Sequence, residues 1–134
     1  MNTETPFSLS QIGQISVTVH DLERATAFYR DTLGMKHLFT VPLKMSFFDC
    51  GGIRLMLAVP ESPEYDHPGS ILYFRVADIQ ESYDTLRTRG VHFEREPFLV
   101  APMPTHDLWM TFFRDSEKNI LSLMAELPKP SGAS

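Results

Sequence analysis

The chain has 134 residues, 43% of them hydrophobic and 22% charged, and a net charge of −5. That acidic balance, without basic clusters, argues against a nucleic-acid surface; the single cysteine, Cys50, rules out an internal disulfide and a cysteine-clustered zinc site. No stretch approaches a membrane span, and the opening MNTETPFSLS has neither a basic n-region nor an apolar core, so one cytoplasmic domain is expected, with neither nucleic acid nor membrane as partner.

The first element is a strand. Ile15, Val17 and Val19 interleave with Gln14, Ser16, Thr18 and His20, the alternation of a half-buried strand. Asp21 is placed as a helix N-cap and Gly34 as the residue just past the helix end, with Leu22, Ala25, Phe28 and Leu33 on one face between them. This predicts a helix over 21–33. Three strand-like runs follow, KHLFTV, MSFFDC and IRLMLAV, separated by Pro42 and by the Cys50-Gly51-Gly52 turn.

After a turn-rich connector, PESPEYDHPG at 60–69, the same plan recurs. Leu72, Phe74 and Val76 alternate with Ile71, Tyr73 and Arg75. Asp78 with Glu81 resembles a capping box, Ile79, Tyr83 and Leu86 form a stripe, and Gly90 closes a helix predicted over 78–89. The runs VHFEREPFLV, LWMTFFR and NILSLMA complete the copy, and Leu121-Ser122-Leu123 answers Leu55-Met56-Leu57. The order is therefore βαβββ stated twice within one domain over 11–127: a first unit at about 11–59, the connector, and a second unit at about 70–127. Residues 1–10 and 128–134 are expected to be loose tails.

The stretches VTVHDLERATAFYRDTLGM, LYFRVADI and FFRDSEKNILSLMAE resemble the vicinal oxygen chelate superfamily. Its members include glyoxalase I, fosfomycin- and bleomycin-resistance proteins, methylmalonyl-CoA epimerase and extradiol dioxygenases. The resemblance covers about residues 11–127. It implies an α+β fold in which two βαβββ modules form curved mixed sheets around a U-shaped cavity, and a homodimer. Metal-dependent members place one ligand near the start of the first strand and one in the last strand of each module, which falls here on Gln14, Met56, Ile71 and Ser122. Only Gln14 is a usable donor: Met56 and Ile71 cannot bind a hard divalent ion, and Ser122 is a poor substitute. No metal and no other cofactor is expected.

Strand parity then supplies a cavity lining. Opposite the helix-facing residues lie Gln14, Ser16, Thr18, Ile71, Tyr73 and Arg75, joined by Arg54, Met56, Ser122 and Met124 from the last strands. Candidate ligand-binding residues are Gln14, Arg54, Met56, Tyr73, Arg75, His106, Trp109 and Ser122. His106 and Tyr73 are also candidate acid/base groups, although turn hydrogen bonding alone would account for His106. Trp109 has the opposite parity to Met110 and belongs to the cavity, to an interface or to packing. Arg75 on an apolar face needs a partner: a ligand anion, a neighbouring carboxylate or a second copy. His37, His67 and His92 read as solvated, His20 as a rim residue, and Cys50 has no base beside it to make it a nucleophile.

The leading expectation is metal-independent binding of a planar or aromatic metabolite or antibiotic, of the resistance type that sequesters its ligand. The alternative is an enzyme of the same fold, either an isomerase, lyase or cyclase working without metal or a glyoxalase-type metal-dependent lyase.

Overall fold

In the computed structural model, which describes residues 7–129, the first unit runs β1 (Gln14–Thr18), α1 (Leu22–Ala27), β2 (Lys36–Val41), β3 (Met45–Cys50) and β4 (Ile53–Ala58). A π-helical turn over Phe28–Thr32 prolongs α1, and a 3₁₀ turn, Pro63–Tyr65, lies in the connector. The second unit runs β5 (Leu72–Arg75), α2 (Ile79–Thr88), β6 (Phe98–Pro102), β7 (His106–Arg114) and β8 (Ile120–Pro128). Each unit forms a four-stranded mixed sheet, ordered β1-β4-β3-β2 and β5-β8-β7-β6. In both, the first strand is parallel to the last and the other pairs are antiparallel.

The expected tails fall mostly outside the described residues. Residues 7–10 are exposed without regular structure, and β8 reaches Pro128, beyond the end expected for NILSLMA. The run VHFEREPFLV becomes a strand only from Phe98, preceded by an isolated bridge from Phe93 to Phe113.

The repeat extends to small details. Asp21 Oδ1 accepts the Arg24 N–H at 3.1 Å, and Asp78 Oδ1 accepts the Glu81 N–H at 3.0 Å. Gly34 and Gly90 both have positive φ (74° and 89°), the left-handed conformation in which a chain leaves a helix and in which any Cβ is strained. Gly34 follows Asp21 by thirteen residues and Gly90 follows Asp78 by twelve. The additional residue is taken up by the π turn, the usual form of a one-residue insertion in a helix. The outer strands β2 and β6 each carry a register shift at the same place, between His37 and Phe39 and between Leu99 and Ala101.

The helix-facing side chains of both sheets merge into one core, with Val19, Tyr29, Phe48 and Leu57 from the first unit and Leu86, Phe113, Leu121 and Leu123 from the second. Burying each such side chain stabilises the fold by roughly 1.5–3 kcal/mol. The units are then fastened by polar groups at the turn between β7 and β8. The Tyr29 hydroxyl, carried by the π turn, donates to Asp115 Oδ2 at 2.7 Å. Asn119 Nδ2 donates to the Thr18 carbonyl at 3.2 Å, and the Glu117 carboxylate accepts the N–H groups of His20 and Asp21 at 2.9 and 3.0 Å, covering the start of α1.

Burial and the neighbouring Asp115 raise the Tyr29 phenol far above its ordinary value, which keeps it a protonated donor at neutral pH. Removing that donor with Tyr29→Phe is expected to cost about 1.5–3 kcal/mol in urea denaturation, the scale of a lost hydrogen bond to a buried charge. A loss below about 0.5 kcal/mol, the range of ordinary surface substitutions, would show that the apolar seam alone holds the units.

Candidate functional site

Opposite its helix, each sheet presents a face built from the alternate side chains. On the first sheet Arg54 (β4) is the organising group. Its Nε donates to Gln14 Oε1 at 3.1 Å, and its guanidinium lies 5.3 Å from the centre of the Phe47 ring. Phe47 in turn stacks at 4.5 Å against Phe39, which is 47% exposed, and Gln14 Nε2 reaches Met56 Sδ at 3.7 Å. Register explains the grouping, because β1 pairs Gln14 with Arg54, and β3 pairs Phe47 with Met56 and Asp49 with Arg54. Asp49 instead accepts the Gly52 N–H at 3.3 Å. Among the described residues Arg54 forms no ion pair with any carboxylate.

On the second sheet the arginine is neutralised. Arg75 Nη2 lies 3.2 Å from Glu126 Oε1, and the other oxygen of the same carboxylate lies 2.9 Å from His106 Nε2. His106 Nδ1 meets Thr105 Oγ1 at 2.9 Å. Of the three partners open to Arg75 in the sequence, the structure supplies the neighbouring carboxylate. Tyr73, 45% exposed, meets Phe112 edge-on at 6.0 Å; Phe98 follows at 6.3 Å and carries Arg95 3.6 Å above its ring. Glu126, Phe112 and Phe98 escaped the sequence reading. Parity was the available signal for the first: Glu126 continues the Ser122–Met124 series, and it lies diagonally across from Arg75, whose direct partner is Met124.

Two candidates do not join these groups. Trp109 packs on the helix-facing side against the core. Ser122 is fully buried between Tyr73 and Phe112 in register, and its hydroxyl donates to the Thr111 carbonyl at 2.9 Å. The other six divide into Gln14, Arg54 and Met56 on one face and Tyr73, Arg75 and His106 on the other.

A model of the Glyoxalase/Bleomycin resistance protein/Dioxygenase superfamily matches residues 11–123. The chain belongs to that superfamily. A lactoylglutathione lyase from Agrobacterium tumefaciens shares its fold at a TM-score of 0.72 and 23% identity, over 88% of this chain and 95% of that one. A superfamily member from Sphaerobacter thermophilus DSM 20745 gives 0.72 and 28% identity, over 88% and 98%. The uncharacterized protein YraH of Bacillus subtilis (strain 168) is 27% identical, over 82% of this chain and 94% of its own length.

The metal positions of the superfamily can be tested on their donors. Gln14 gives its oxygen to Arg54, Ser122 turns its hydroxyl inward, and Met56 and Ile71 hold no hard donor. A guanidinium 3.1 Å from the one usable oxygen adds a fixed positive charge that opposes a divalent cation. This donor set does not fit the superfamily's metal. No group of three or more His, Cys, Asp and Glu side chains suited to a metal occurs among the described residues. No helix among them is long and apolar enough to cross a membrane.

At the junction of the units lies a cleft of about 440 Å³, bordered by Ser16 and Thr18 of β1, Ile71, His67 of the connector and Arg114. His20 borders this cleft and clasps the connector: Nε2 lies 3.0 Å from Asp66 Oδ1 and Nδ1 3.5 Å from Glu117 Oε1. The Asp66 hydrogen bond and charge, then Glu117, raise the imidazole pKa above its ordinary value. A raised folded-state pKa means that the clasp stabilises fully below the free-imidazole value of about 6.5 and fades as pH rises through the folded value. The difference in melting temperature between wild type and His20→Gln is therefore expected to be larger at about pH 6 than at about pH 9; an equal difference at both would show that the charged clasp does not form.

Proposed function

We propose that the protein binds a planar, partly aromatic small molecule carrying a carboxylate, phenolate or enolate, and does so without a metal. The observation that carries this reading is Arg54: a guanidinium held by Gln14 and Phe47 on the open face of the first sheet, with no ion-paired carboxylate among the described residues. Its remaining N–H groups suit forked recognition of two oxygens, while the exposed Phe39, backed by Phe47, offers a surface on which a ring stacks. Tyr73, Phe112 and Phe98 supply a second aromatic surface on the other sheet. In this reading the cation that the metal provides in other members of the superfamily is replaced by an arginine, and the ligand is held rather than polarised for reaction.

A homodimer completes the reading. The outer strands and their neighbouring turns expose Leu38, Val41 and Leu43 on one unit and Leu99, Val100 and Met103 on the other, apolar surface that a second copy would remove from water. One observation favours catalysis as a second reading: the Glu126 carboxylate 2.9 Å from His106 Nε2 orients the ring, and Nδ1, which meets the Thr105 hydroxyl, is the nitrogen that would exchange a proton with a substrate displacing that contact.

A thermal-shift screen of aromatic carboxylates and phenolates, followed by calorimetry on the best hit, tests the first reading. Arg54→Ala is expected to weaken that hit by about 1.5–3 kcal/mol, and Arg54→Lys to recover only part of it, because an ammonium cannot form the fork. Arg75→Ala, which frees Glu126 beside His106, should weaken it less. Equal losses for the two alanine variants would remove Arg54 from its role. Following the bound ligand by NMR over hours separates sequestration from turnover: conversion that stops in His106→Ala would establish the second reading.

Untagged protein purified without chelator should hold well under one equivalent of transition metal by elemental analysis. Stoichiometric metal lost in Gln14→Ala would overturn the metal-free assignment. Sedimentation equilibrium at micromolar concentration should return twice the chain mass of 15.3 kDa, and a monomer there would defeat the dimer.

A further inference from the structure

A crevice of about 360 Å³ lies on the helix side of the fold, away from both open faces, between α2 and the end of the first helix. Its floor is Phe74, Val76, Phe113 and Leu123; Leu33 and Met35 of the first unit form one wall, and Ser82, Thr85 and Arg89 of α2 form the other. That volume lies within the roughly 300–1,000 Å³ of small-molecule sites, and an apolar lining with a few polar groups is their usual chemistry.

The repeat explains why the crevice exists. Counting equally from the caps Asp21 and Asp78, Thr85 occupies the place of Phe28 and Leu86 that of Tyr29. The pairings of Phe48 with Leu55 and of Phe113 with Leu121 align the β3–β4 turn with the β7–β8 turn. Beside α1 these positions carry two rings, Phe28 and Tyr29, 5.8 Å apart, and the Tyr29 hydroxyl donates to Asp115 of the β7–β8 turn. Beside α2 the rings are replaced by a threonine and a leucine, and the matching turn carries Gly51-Gly52. Both seams keep a cavity: the one beside α1, of about 520 Å³, is bordered by Phe28, His92, Glu94 and Asp115 and is polar, whereas the crevice beside α2 combines an apolar floor with Arg89.

The polar groups of the crevice beside α2 are free to receive a ligand. Arg89 Nη1 donates to the Thr32 carbonyl at 2.8 Å, which anchors the guanidinium at the wall, and among the described residues it pairs with no carboxylate. Thr26 and Thr88 return their hydroxyls to the carbonyls four residues back, at 2.7 and 2.9 Å. Ser82 and Thr85 show no such bond among the described residues. Glu81, eight residues before Arg89 and so about 12 Å away along the helix, borders the other end of the lining. It disfavours a second negative charge there.

We infer that this crevice binds a small amphipathic monocarboxylate, aliphatic or aryl, with its apolar body on Phe74, Phe113 and Leu123 and its carboxylate on Arg89 and the neighbouring hydroxyls. Nothing in the inference depends on the ligand of the open faces.

Calorimetry with octanoate, 1-octanol and the dicarboxylate suberate tests it. Octanoate is expected to bind with a Kd below about 1 mM, and at least about tenfold more tightly than either comparison compound, because only it satisfies Arg89 without placing charge beside Glu81. Arg89→Gln should bring octanoate and 1-octanol to within about twofold. Thr85→Phe, which places in the crevice the ring that α1 carries at Phe28, should abolish binding of both while leaving a single cooperative melting transition. Three results would overturn the inference: no octanoate binding below about 1 mM, equal affinity for acid and alcohol, or loss of octanoate binding in Arg54→Ala with Arg89→Gln unaffected, which would place the carboxylate on the opposite face.

Discussion

The arrangement of the two units depends on one buried carboxylate. Asp115 is held by four donors: the Tyr29 hydroxyl, the backbone N–H groups of Glu117 and Asn119, and the Asn119 side-chain amide. A carboxylate withdrawn from water is tolerated only with such satisfaction. Satisfying it fixes the β7–β8 turn, including Lys118 at φ 69°. The same turn then points Asn119 at the end of β1 and Glu117 at the start of α1. The placement of one sheet beside the other, and with it the relation of the two open faces, follows from how this group is desolvated.

From one skeleton the two units derive different electrostatics. Both faces place an arginine among aromatic rings. On the first, the cross-strand Asp49 accepts from its own turn, and among the described residues Arg54 forms no ion pair. On the second, Glu126 lies within reach of Arg75 and of His106, so the cation is internal to a local network. The difference is made by single side chains two residues along a strand and leaves the backbone plan unchanged, in keeping with a fold that hosts many chemistries by exchanging site residues.

Much of this plan was legible in the residues. Asp21, Gly34, Asp78 and Gly90 marked the helices because caps act locally, and the alternation from Gln14 and from Ile71 assigned each strand's two faces because parity needs no partner. What escaped was what only register or long-range contact determines. The π turn is one residue of excess length, visible only when the two cap-to-glycine spacings are compared. The Tyr29–Asp115 bond joins residues 86 positions apart, and DSEKN by itself reads as an ordinary turn. Arg75 found its partner diagonally across β8, and Trp109, a candidate ligand contact whose face the sequence leaves open, packs against the core because its face is the helix-facing one. Gln14 and Arg54 were both singled out, but their pairing required the parallel alignment of β1 with β4.

The shifts of register in β2 and β6 bear on how copies of the protein associate. Each outer strand is an apolar edge with unpaired backbone groups, the kind of surface on which chains add to one another without limit. A bulge interrupts the row of hydrogen-bonding groups midway and increases the local twist. An incoming strand would lose its alignment at Leu38 or Val100 before a continuous ladder could grow. Side chains on these edges can still be buried by a neighbour, but the backbone row is broken at each shift, so added strands could not extend as one continuous ladder.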